Sequence, residues 1–107
     1  MQGFLVSLGN GQLNTGDLIQ AVLYTFNATA TTGAGTWTWS GTSATGTTVT
    51  NQTAPGNYVL GTDGSVYFVP TTAVGTVTNA VTTTAPVYDD QNYGTAAGDT
   101  LLAEVPP

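Results

Sequence analysis

The sequence predicts an all-β protein, a single domain over residues 1–107 built as a β-sandwich or a partly open barrel with extended terminal segments. Three observations predict it. β-branched and aromatic residues recur in short runs, the composition that suits a pleated, half-buried surface. Gly- and Pro-rich turn signals separate those runs at short intervals, as in sandwiches and small barrels. Residues 57–69 place two such runs on either side of Asp63-Gly64, a strong local signal for a hairpin.

Taken in order, residues 4–8 form an apolar run that Gly9-Asn10-Gly11 ends as a turn. Residues 17–28 carry apolar side chains at both parities: Leu18, Val22, Tyr24 and Phe26 alternate with Ile19, Ala21 and Leu23. That pattern fits a strand buried on both faces or a short helix. The Val, Ile, Tyr and Phe content favours the strand, although Asn14 or Thr15 could cap a helix starting near Asp17. Residues 28–35 read as a small-residue connector and residues 41–46 as a loop. Between them, Thr36-Trp37-Thr38-Trp39-Ser40 alternates strictly and puts both indoles on one face. Residues 47–50 read as a short strand, and Ala54-Pro55-Gly56 as a turn. After the hairpin, Pro70 ends its strand or holds it at an edge. Residues 74–81 form a Thr/Val strand, 86–98 a long polar loop, and 101–105 a final extended segment before Pro106-Pro107.

Composition narrows the function classes. The chain has no Lys, Arg, His or Cys and a formal charge of −6. Without cations it has little to offer phosphates, so nucleic acid and anionic membrane surfaces are not expected partners. Without His, Cys or Lys it lacks the commonest bases and nucleophiles, so an enzyme is not expected. A glycosidase-type carboxylate pair would have to come from Asp17, Asp63, Asp89, Asp90, Asp99 and Glu104. A disulfide framework and a zinc–thiolate site are excluded outright. The start of the chain lacks the basic region of a secretory signal, and no apolar run reaches membrane-spanning length, so export by that route is not expected.

Candidate sites follow from what remains. Asp89, Asp90, Asn92 and Asp99 form the densest cluster of side-chain oxygens and are the candidate ligands for a hard cation such as calcium. Their spacing departs from the EF-hand loop: Gly94 stands where a ligand belongs and Leu101 where the closing Glu would be. A turn-rich surface loop without any cofactor is the plainer expectation. Trp37 and Trp39 suit either the core or an aromatic platform for a sugar. The Thr runs around residues 36–38, 47–50, 76–78 and 82–84 resemble ice-binding arrays in composition, but they follow no fixed period and ordinary β propensity accounts for them. Phe4, Leu5 and Val6 at one end and Leu101, Leu102 and Val105 at the other are apolar segments at termini. They are the expected partner-binding residues, as arms over residues 1–8 and 100–107.

Two resemblances bear on these expectations. Asp63-Gly64-Ser65-Val66-Tyr67-Phe68-Val69-Pro70 resembles the late hairpin of bacterial cadherin-like adhesin repeats, which implies an extracellular binding or adhesion module with calcium. The short, Cys-free chain rich in Gly, Thr and Ala is similar in style to tailed-phage capsid decoration (cement) proteins. That resemblance implies a structural protein on the virion surface. It would be held by surface burial and strand addition against other protein subunits, either the shell protein or copies of itself.

Overall fold

The computed structural model describes residues 1–8 and 11–86, the side chains of 30–32 excepted. Six strands form: β1 (Gln2–Val6), β2 (Leu18–Thr25), β3 (Ala28–Ser43), β4 (Thr48–Gly61), β5 (Val66–Pro70) and β6 (Val74–Thr84). All pairs are antiparallel, and the sheet closes on itself in the order β1-β2-β6-β3-β4-β5. The protein is all-β as expected, and it is a closed barrel where the sequence suggests a sandwich or a partly open barrel.

The Asp63-Gly64 hairpin forms where turn chemistry puts it. Asn57 to Leu60 pair with Val69 to Val66. Gly64 takes a φ of 85°, the left-handed conformation that glycine adopts without steric cost. Asp63 Oδ1 accepts the Ser65 N–H at 3.0 Å, and Oδ2 accepts the Tyr67 hydroxyl at 2.6 Å. The second bond holds the Asp63 carboxyl below the usual range and raises the Tyr67 phenol.

Other local expectations give way to strand. The connector at 28–35 and the first half of the loop at 41–46 belong to β3, which continues to Ser43. Their glycines mark places where backbones crowd: a Cβ on Gly35 would lie 2.4 Å from the Thr84 carbonyl oxygen, and one on Gly41 would meet the backbone of Thr76. Ala54-Pro55-Gly56 is the middle of β4, with the exposed Pro55 paired to Thr36. The helix alternative near Asp17 fails for a local reason. Asp17 N–H donates to Asn14 O at 3.1 Å and Asn14 N–H donates to Asp17 Oδ2 at 2.8 Å, which closes a turn that leads straight into β2.

The arm expected over residues 1–8 is instead a barrel strand. β1 is hydrogen-bonded to β2 on one side and β5 on the other, and Phe4 and Val6 are buried in the core. An apolar run at a terminus gains as much from closing its own sheet as from reaching a neighbour, and here it closes the barrel.

Trp37, Tyr58, Phe68 and Val66 are fully buried. The Trp37 ring centroid lies 5.2 Å from Phe4, 4.8 Å from Phe68 and 5.6 Å from Trp39, and Tyr58 lies 4.8 Å from Phe68. Both indoles are therefore core, and the exposed sugar platform is overturned. The Tyr58 hydroxyl donates to the Thr36 carbonyl at 2.9 Å, and burial pushes its pKa from 10.0 up to about 12. The folded state thus holds this proton more tightly than the unfolded chain does. The associated stability is whole below pH ~10 and is lost as pH rises toward about 12. In thermal melts across that window, Tyr58→Phe is expected to flatten the alkaline fall in midpoint relative to wild type. Parallel curves would show that other groups govern it.

Candidate functional site

The feature that stands out on the described surface is β2. Its sequence suits burial on both faces, yet only Ile19 is buried. Leu18 is 68% exposed, Val22 54%, Leu23 48% and Tyr24 36%, with Met1 at 60%. Isolated exposed apolar residues are ordinary, but several along one strand make it the candidate contact surface.

The register explains the exposure. Phe4 faces Leu23 and Val6 faces Ile19, so β2 spends four positions where β1 spends two. Such a bulge bends its strand and leaves residues out of the ladder. The turn before β2 is zipped to the end of β6: Gly16 N–H donates to Thr82 O at 2.8 Å and Thr82 N–H donates to Asp17 O at 2.9 Å. Leu18 and Ile19 pair with Val81 and Ala80, and the β2–β6 ladder stops there. From Gln20 onward that edge of β2 has no strand beside it among the described residues.

Below the end of the ladder lies a groove of about 360 Å³, lined by Phe4, Ala21 and Leu23 on one side and Pro70, Val74 and Val77 on the other. A second cavity of about 240 Å³ is lined by Trp37, Trp39, Gln52, Thr53 and Thr72, and the two share Pro70, Ala73 and Val74. Among the described residues, the buried Trp37 Nε1 has no hydrogen-bond partner. Trp37 and Thr82 face each other across the β3–β6 ladder.

The Thr-rich strands use their hydroxyls on one another. Thr38 Oγ1 lies 2.8 Å from Thr53 Oγ1 and 2.6 Å from Thr83 Oγ1, and Thr36 Oγ1 lies 2.7 Å from Thr84 Oγ1. These are cross-strand pairs of the kind that stabilise any sheet.

Of the expected partner-binding residues, Phe4 and Val6 lie inside the barrel. Leu5 is half-buried against a small outer cluster of Phe26, Val59 and Tyr67. Leu101, Leu102 and Val105 lie outside the described residues, as do Asp89, Asp90, Asn92 and Asp99. Among the described residues no group of three acidic, His or Cys side chains converges. Sequence reasoning missed the contact potential of Leu18, Val22 and Tyr24. The signal was present in the two apolar parities of β2, but periodicity alone reads them as buried. No protein-family model, curated protein or solved structure matches the chain.

Proposed function

We propose that the protein is a non-enzymatic structural component of an assembled particle, in the manner of a tailed-phage capsid decoration protein. It attaches by burying the outer face of β2 against a protein subunit of the shell. The observation that carries this reading is the uncovered apolar residues Leu18, Val22 and Tyr24 on one strand, with Met1 also exposed. Burial of apolar area is the main driving force of protein association. The composition supports the same class, since a chain without Lys, Arg, His or Cys is poorly equipped for catalysis or phosphate recognition. The partner's rim is expected to be basic, because a chain of charge −6 repels acidic surfaces.

The test is a gradient of particles purified from the source organism. The chain is expected in the particle fraction at a fixed ratio to the main shell protein. Added back to stripped particles, Val22→Asp should bind at least about tenfold more weakly, the equivalent of ~1.4 kcal/mol. Val22 is exposed, so the thermal midpoint should change little, within about 0.5 kcal/mol of stability. A wild-type chain that stays at the top of the gradient would overturn the reading.

A further inference from the structure

β2 presents two apolar faces. The outer one has just been assigned to a partner. The inner one, with Ala21 and Leu23, lines the groove beside the unpaired edge that begins at Gln20. Across the groove, Val74, Thr76, Val77 and Asn79 of β6 pair with β3 on one side and with no described strand on the other. Among its lining residues, Gln2, Thr76 and nine apolar or glycine positions, none is charged. A free, apolar strand edge is a template for an added strand.

We propose that this groove is filled by residues 101–105 of the same chain, Leu101-Leu102-Ala103-Glu104-Val105, laid along the free edge of β2 as an added strand. Length permits it. Residues 87–100 separate Pro86 from this segment, and at ~3.3 Å per residue they span up to roughly 46 Å. Val77 stands nine positions before Pro86, roughly 30 Å along an extended chain. Composition selects this segment, because it is the longest apolar run after residue 86 and alternates suitably. With Leu101, Ala103 and Val105 on one face, that face would meet Phe4, Leu23 and Val77, and Glu104 would point to water. Charge selects the same chain over a second copy. Each copy carries −6 with no cation to offset it, so two copies repel. A tether instead holds the segment at an effective concentration in the millimolar range. The proposal is independent of what the outer face of β2 meets.

The chain has no Cys, so spin labels can be placed freely on Thr62→Cys, an exposed turn position away from the groove, and Ala103→Cys in the full chain. Pulsed electron resonance is expected to give one narrow distance distribution that survives dilution with unlabelled chain. A broad distribution would overturn docking. A narrow one that vanishes on dilution would place the segment on a second copy and overturn the same-chain assignment. As a second readout, Leu101→Asp combined with Val105→Asp should lower the melting midpoint by roughly 5–10 °C, and an unchanged midpoint would again overturn docking.

Discussion

Trp37→Ala is expected to cost about 3–5 kcal/mol, the range for removing a buried aromatic and leaving a cavity. Domain stabilities are ~5–15 kcal/mol, so the variant is at or near the edge of folding at room temperature. The size follows from position. Trp37 is fully buried and packs at once on Phe4 from β1, Phe68 from β5 and Trp39 from its own strand. Its removal opens the centre of the barrel where β3 faces the paired Phe4 and Phe68 of β1 and β5. Trp37→Phe separates packing from polarity. It retains a ring and removes the Nε1 donor, which has no partner among the described residues and whose burial costs about 1–3 kcal/mol when unmet. It should therefore be much milder than Trp37→Ala. Denaturant melts followed by far-ultraviolet circular dichroism measure both. A near-neutral Trp37→Ala melt would sink the core assignment.

The second large effect is expected from one methyl group. A Cβ on Gly56 would lie 2.4 Å from Phe68 Cζ and 2.6 Å from the Val69 carbonyl oxygen. Neither can retreat easily: Phe68 is fully buried between Trp37 and Tyr58, and the carbonyl belongs to the β4–β5 ladder. Gly56 faces Gly35 across the β3–β4 pair, where a Cβ would come within 2.8 Å of the Tyr58 ring. The two glycines thus make room for the two aromatic rings. Gly56→Ala should cost about 3 kcal/mol, the upper part of the overpacking range. Gly64→Ala is the useful contrast. Nothing lies within 4 Å of a Cβ there, so its cost is the left-handed backbone alone, about 1–2 kcal/mol. If the clash with Phe68 dominates, adding Phe68→Leu to Gly56→Ala should cost less than the sum of the two single changes. Strict additivity would shift the cause to the Val69 carbonyl. An unchanged midpoint for Gly56→Ala would refute the packing argument altogether.

Legibility in the sequence followed how local the determining physics is. The 57–69 hairpin was readable because Asp63-Gly64 sets the turn, the turn sets the register, and both lie within a few residues of one another. The Trp37 and Trp39 alternation was readable as a strand with one aromatic face, and burial made that face core. Residues 28–35 and 54–56 were misread because Gly and Pro signal turns by default. Here Gly35 and Gly56 serve close backbone and ring approach, and Pro55 sits with its ring in solvent. The contact residues at the N-terminus were misplaced for a different reason. Phe4 and Val6 have the same composition whether they pair in cis or reach a neighbour. What settles the matter is the β1–β5 pairing of Phe4 with Phe68, which no local signal announces.

The sequence by itself determined the all-β class, the central hairpin, the aromatic core strand and the absence of the side chains that most enzymes and phosphate binders use. These depend on residue chemistry, on strand periodicity and on turns a few residues long. Only the tertiary structure decided that the sheet closes into a barrel, that the first strand is one of its staves, and that β2 is left with apolar faces and an open edge. Those outcomes rest on pairings between residues far apart in the chain and on a bulge in the β1–β2 ladder. An apolar pattern states that a strand needs cover, and the arrangement of the other strands decides whether it receives any.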